Sequence, residues 1–286
     1  MNGSPGGLLE FSSLASAGNA NIINQGGTVT GAAGGYTVFD GAAKGGSATI
    51  TTNGGSNGGG GGGTLFRDST DGGTARAITN GNGVFDISQL TSGGMKIGSI
   101  EGSGSYYLGA NSLTVGGNNL STTVSGVIAD NGVTDGTGGS LIKTGTGTLT
   151  LTAANTYTGG TTVGAGVVQL GTAGTAGTLD GTGTISVNSG GVLRIVNAGA
   201  AIYGVTIAND ITNGVPNAGL GTVDIHSANL NLLAGTLTNG SAGLLALTQN
   251  GSGTTIVTNA NNLYSGATTI TGGILQIGTA PTGPNL

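Results

Sequence analysis

Internal repetition is the feature that most limits what this chain can become. In the first 80 residues Phe11, Ala20 and Ile22 recur as Phe39, Ala48 and Ile50 and again as Phe66, Ala75 and Ala77, with Gly18, Gly46 and Gly73 at one shared position. The period is 28 and then 27 residues. A unit of that size cannot bury its own apolar side chains, so each must pack on its copies in a quasi-one-dimensional stack. Ala48, Ile50 and Thr52 alternate with polar or small neighbours, the period of a strand with one face inward. The three phenylalanines then form an internal aromatic column.

Composition agrees with strands and tight turns. The chain has 65 glycines among 286 residues and 6% charged residues, far from the globular mean of about 7% Gly and 25% charged. Collagen is excluded, because no Gly-X-Y period runs through it and only four prolines are present. Disorder is disfavoured by 36% hydrophobic residues and a net charge of only −5. Val, Ile, Leu and Ala set among Thr, Asn and Gly favour strands, with almost no helix. So few Lys and Arg argue against nucleic acid as a partner, and the absence of Cys fits an exported protein that uses no disulfide. No apolar run reaches the roughly 18 residues of a membrane-spanning helix. The start, MNGSPGGLLE, has no basic then apolar leader, so an export signal is expected outside this stretch.

A second repeat family fills the later part. LIKTGTGTLTLTAANTYTGGTTVGAGVVQLGT (141–172) is echoed by LTQNGSGTTIVTNANNLYSGATTITGGILQIGT (247–279). Tyr157, Gly159, Thr161, Thr162 and Val163 correspond to Tyr264, Gly266, Thr268, Thr269 and Ile270, and Gly166, Val168, Gln169 and Leu170 to Gly273, Leu275, Gln276 and Ile277, at a constant offset of 107. In VNSGGVLRI (187–195), Leu193 and Ile195 take the places of Val168 and Leu170, as the next rung of a stack would.

TGTGTLTLTAANTYTGGTTVGAGVVQLG resembles the autotransporter-associated β-strand repeat of bacterial passenger domains, and IGSIEGSGSYYLGANSLTVGGNNLSTTVSGVI is similar to the segment that often leads into it. The resemblance covers about half the chain, 97–171 and 247–279, and the Phe-repeat region is similar to the repetitive upstream part of such proteins. It implies an all-β, single-stranded right-handed parallel β-helix, export to the bacterial surface, and repeats that assist folding and secretion. It also implies an outer-membrane barrel in the full-length parent. No barrel follows here; the chain ends at PTGPNL and reads as an excised passenger or a truncated relative. One continuous solenoid over 1–286 is expected, with Phe/Gly repeats over 1–96, a loop at 53–63 (NGGSNGGGGGG) and autotransporter-type repeats over 97–286. At about 25 residues per rung, that makes about 11 rungs. The stretches 130–140 and 198–221, the latter with Pro216, carry weak repeat signal and are expected to protrude.

Candidate chemistry is sparse. His226, the single histidine, follows Asp224 in TVDIHSANL, and residues two apart share a strand face, so the two could form an acid–base pair with a serine from another rung. A polar outward face gives the same pattern. Ser56 lies in Gly54-Gly55-Ser56-Asn57-Gly58, which satisfies the nucleophile-elbow pattern but has no helix to follow it; in a chain this rich in Gly and Ser such matches arise by chance. Asp40 and Arg67 occupy one repeat position, as do Lys44 and Asp71, which predicts stacked opposite charges on neighbouring rungs. Asp68 and Asp71 read as a solvated turn. Asp130 and Asp135, in ADNGVTDGTGG, lack both the EF-hand spacing and the Gly-Gly-x-Gly-x-Asp nonapeptide, so no metal and no cofactor is assigned. Of Tyr106 and Tyr107 one must face outward, where it could stack on a sugar; Tyr157 and Tyr264 recur and read as packing positions. The leading functional reading is a structural or adhesive passenger segment that presents loops to a glycan or host-surface ligand. The alternatives are a β-helical hydrolase or lyase acting on a polysaccharide or ester, with Asp224, His226 and Ser56 as candidates, and a carbohydrate-binding module.

Overall fold

The computed structural model describes residues 6–179, 181–196, 203–214, 219–241 and 243–279. Pro216, part of the 198–221 stretch and the PTGPNL terminus lie outside the described residues. Among those described, no helix is present, and the strands pair in parallel register. The chain is an all-β parallel solenoid whose contacts divide it into two units, Met1–Gly145 with Thr156–Gly159, and Thr146–Asn155 with Gly160–Leu286.

In the first unit one sheet stacks Leu8–Phe11, Tyr36–Phe39, Gly63–Asp68, Val84–Leu90, Ser105–Tyr107 and Ile128–Ala129 in that order. A second stacks Asn21–Asn24, Thr49–Thr52, Arg76–Thr79 and Ser99–Glu101, and Gly94–Ile97, Ser112–Val115 and Ser140–Lys143 form a third face. Register follows the repeat: Phe11 pairs with Phe39 and Phe39 with Phe66, while Ile22, Ile50, Ala77 and Ile100 share a column. Phe39 and Phe66 are 0% and 1% exposed, and the stacked rings lie 5.0 and 4.5 Å apart at 8° and 4° between planes. The next rung joins out of this column: Phe85 pairs with Thr64, ahead of a register slip between Leu65 and Arg67, and the aromatic run continues tilted through Phe85 to Tyr106. Gly18, Gly46 and Gly73 all have φ near +60°, the left-handed turn that a side chain would strain.

The glycine-rich stretch 53–62 is a loop, and it is stacked rather than loose. Ser56 N donates to Gly27 O, Gly60 N to Ala32 O and Gly55 N to Asn82 Oδ1. Gln25, Asn53 and Asn80 form an amide ladder beside it, at 3.1 and 3.2 Å. Glycine is required because backbone meets backbone: a Cβ on Gly34 would lie 2.3 Å from Gly61 O, a distance no real contact shows.

In the second unit one sheet stacks Thr148–Leu151, Gly166–Leu170, Gly191–Ile195, Leu220–Ile225, Leu244–Gln249 and Thr268–Ile270. Its inward columns are Leu149, Val168, Leu193, Val223, Leu247 and Leu151, Leu170, Ile195, Ile225, Gln249, each residue at most 2% exposed. Leu193 and Ile195 do follow Val168 and Leu170. A second sheet carries Thr161–Val163, Ile185–Val187, Ile211–Thr212 and Leu237–Thr238, and a third Tyr203–Ile207, Leu230–Leu233, Thr254–Val257 and Ile274–Ile277. The two long repeat copies therefore occupy different faces. Thr161–Val163 lies on the second sheet and its counterpart Thr268–Ile270 on the first; Gly166–Leu170 lies on the first and Ile274–Ile277 on the third. The repeat specifies a strand–turn–strand corner, with Gly166 and Gly273 both at φ +65° in the turn, and the corner can be placed on any side of the coil.

Candidate functional site

Val223 and Ile225 point inward, so alternation turns Asp224 outward, and His226 follows on the same side just past the strand end. His226 Nε2 lies 2.9 Å from Asp224 Oδ2. The same carboxylate oxygen accepts Arg194 Nε at 3.0 Å from the preceding rung, and Oδ1 accepts Asn250 Nδ2 at 2.7 Å from the following one. The Asp224 side chain is 10% exposed and that of His226 43%. Asn250 Oδ1 in turn accepts the Thr271 hydroxyl on the next rung. The group is a chain of cross-rung hydrogen bonds with the carboxylate at its centre. With Nε2 directed at Asp224, the imidazole is oriented as in an acid–base pair, but its side-chain partners are Asp224 and Asn250, with no serine hydroxyl among them. Ser227 Oγ accepts Asn229 N, and Ser56 belongs to the first unit.

Ser56 sits on an exposed turn in which Asn57 and Gly58 have φ of 48° and 80°, and its carbonyl accepts Gly59 N. The turn leads on through glycines to the strand Gly63–Asp68, so the strand-to-helix geometry that exposes a catalytic serine is missing.

The charged ladder expected between Phe-type rungs forms in register only. Lys44 bridges to Asp71 through backbone, yet Asp71 Oδ1 accepts its own turn's Gly73 N at 2.8 Å. Arg67 donates to Gln89 at 3.0 Å instead of pairing with Asp40. Tight glycine turns bring amide donors closer than the neighbouring cation, and the register slip carries Arg67 to Gln89. The ion pairs among the described residues are Arg76–Glu101 and Arg194–Asp224, with His226 hydrogen-bonded to the same carboxylate.

Residues 130–139 form an exposed loop anchored by carboxylates. Asp130 accepts Gly138 N, Gly139 N, Thr158 N and the Thr158 hydroxyl. Asp86, 2% exposed, accepts Ser88 N and Val133 N, and Ser88 Oγ accepts Thr134 N. Oxygens so engaged do not converge on a cation, and no group of three His, Asp or Glu suited to a metal occurs among the described residues. Val133, 61% exposed, marks the outer part of the loop.

Tyr106 is the inward member of its pair, fully buried beside Phe85 with its hydroxyl on Glu101 O, and burial pushes its pKa up; Tyr107 faces outward and is half-buried. Tyr157 is buried, whereas Tyr264 is half-buried and hydrogen-bonds Thr268.

Sequence reasoning passed over Lys143. It is 1% exposed, in an inward column with Ile97 and Val115, and donates to Thr144 O and Gly145 O; burial lowers its pKa. The signal was present in the repeat, whose opening aligns at an offset of 106, one less than the later 107, so that Lys143 matches Gln249. Gln249 is also buried, and its Nε2 donates to Gly251 O, the matching turn carbonyl.

Parallel rungs built from strand–turn–strand corners, with polar side chains used mainly to staple rung to rung, define a parallel β-solenoid. Comparison with known proteins makes that particular. Residues 141–170 and 247–277 match the passenger-associated-transport-repeat family. Over 139 residues, 48% of this chain, the sequence is 35% identical to the adhesin BmaC autotransporter of Brucella suis biovar 1 (strain 1330), and the match spans about 4% of that protein's length. No solved structure matches. The chain thus carries two passenger-associated transport repeats and, over about half its length, is similar to a short part of an autotransporter adhesin. No helix among its described residues is long and apolar enough to cross a membrane.

Proposed function

We propose that this chain is an adhesive segment of its passenger, a β-solenoid whose outward loops and faces meet a host-surface or glycan ligand without turnover. The observation that carries this reading is the 130–139 loop, held outward by buried or nearly buried anchors at Asp86, Ser88 and Asp130. A loop pre-ordered in this way loses little entropy on binding. The adhesin name of the similar Brucella protein supports the same reading. The rungs supply a scaffold, and the Arg194–Asp224–His226–Asn250 group acts as a clamp between rungs, not as a catalytic device.

Beads coated with the purified chain test this. Coated beads should adhere to host cells or extracellular matrix well above albumin-coated beads, and soluble chain should compete. Adhesion no greater than that of albumin beads, or rapid turnover of a polysaccharide or ester by the chain, would overturn the proposal.

A further inference from the structure

The chain is acidic and has six Lys and Arg side chains. Arg76 and Arg194 are ion-paired, Arg67 is bound to Gln89 and Lys143 is buried against carbonyls. Lys44 and Lys96 are both exposed, with no side-chain hydrogen bond or ion pair among the described residues, and Lys96 borders a shallow recess of about 240 Å³ in the first unit. Ser92, Gly93, Gly94, Met95, Ser112 and Thr114 form the rest of the lining.

Backbone register explains why these groups meet. Gly94 pairs with Ser112, and Lys96 with Thr114, on the outward side of adjacent strands, while Met95 and Ile97 point inward. Gly94 leaves the recess open. It has φ +155°, and a Cβ there would lie 2.4 Å from Ser112 O. Ser92 Oγ donates to Gly94 O at 3.0 Å and so closes the turn at the rim. Ser112 Oγ is buried and has no hydrogen-bond partner among the described residues, which leaves a hydroxyl's donor and acceptor capacity unused beside the recess. No carboxylate lines the recess, and Asp71 on the preceding rung is engaged with Gly73 N.

We propose that this recess binds an acidic sugar. Lys96 would hold the carboxylate of a sialic or uronic acid residue, the Thr114 hydroxyl would meet a ring hydroxyl, and Ser112 Oγ would join it by turning outward about χ1. A single unpaired cation selects a monoanion, and hydroxyls that both donate and accept match a sugar's own. This inference rests on the adhesive reading and names its ligand class.

The test is titration of the purified chain with sialyllactose and with a glucuronate disaccharide, followed by ligand-observed NMR, with lactose and sodium acetate as comparisons. At least one acidic sugar should bind, lactose should not, and acetate at equal concentration should not displace it. Lys96→Met should weaken binding about tenfold or more, as loss of a charge-assisted hydrogen bond does, while Lys96→Arg should retain it. Ser112→Ala should weaken it by a smaller factor. Lys96 is exposed, so an unchanged unfolding curve will show that the variants remain folded. Undiminished binding by Lys96→Met, equal binding of lactose, full displacement by acetate, or no binding of either acidic sugar would overturn the proposal. Bead adhesion separates the two claims: beads that adhere equally well with Lys96→Met leave the adhesive reading standing and remove this site.

Discussion

Replacing Phe39 by alanine probes the solenoid where its repeat is clearest. The ring is fully buried between those of Phe11 and Phe66, at 5.0 and 4.5 Å and nearly parallel to both. Phe→Ala substitution in a core costs about 3–5 kcal/mol, of which each stacked pair accounts for about 0.5–1.5 kcal/mol beyond area burial. Phe39 has two such pairs and Phe11 only one among the described residues, and Phe11 is partly exposed. Phe39→Ala should therefore fall toward the upper end of that range and Phe11→Ala well below it. Urea unfolding followed by circular dichroism and by tyrosine fluorescence measures both variants. Stacks of repeats can unfold in parts, so non-coincident curves from the two probes would assign the loss to the rungs around Phe39. A double-mutant cycle of Phe39→Ala with Phe66→Ala should show coupling, because removing either ring already breaks their contact. If Phe39→Ala costs no more than Phe11→Ala, the ring column is not what holds these rungs.

Gly34→Ala should destabilise the stacked loops, because its Cβ would meet Gly61 O at 2.3 Å; faster hydrogen exchange over 53–62 would show this, and unchanged exchange would refute the close packing. Lys143→Gln should be tolerated within about 1 kcal/mol, since glutamine fills the matching position at 249, whereas Lys143→Met should cost about 1–3 kcal/mol by stranding Thr144 O and Gly145 O. Burial holds the folded-state pKa of Lys143 below the ordinary lysine value, so the folded protein loses this proton first. Its contribution to stability should thus rise with pH across the alkaline range up to about 10.5, and the difference between wild type and Lys143→Gln isolates it. A difference that does not vary with pH would mean the amine is not desolvated. His226→Ala should change stability by no more than about 0.5 kcal/mol, as exposed substitutions do. Asp224→Ala should cost about 1–3 kcal/mol, because it leaves Arg194 and Asn250 without their acceptor, and thermal unfolding ranks the two.

The sequence by itself determined the class of fold and the content of its columns. Period-two alternation decides which side chains point inward, and repetition decides what they meet: Phe11 on Phe39, Ile22 on Ile50, Val168 on Leu193. The adjacency of Asp224 and His226 was equally legible, because two residues apart on one face is a local property. What only the tertiary structure decided is which residues from different rungs become neighbours. Rungs differ in length, and a slip between Leu65 and Arg67 gives Arg67 to Gln89, while the two long repeats come to rest on different faces although their motif residues correspond. The clamp of Arg194 and Asn250 around Asp224, the burial of Lys143 and the recess beside Lys96 all depend on that accumulated register. A local pattern repeats with the strand; a partner across rungs depends on every turn in between.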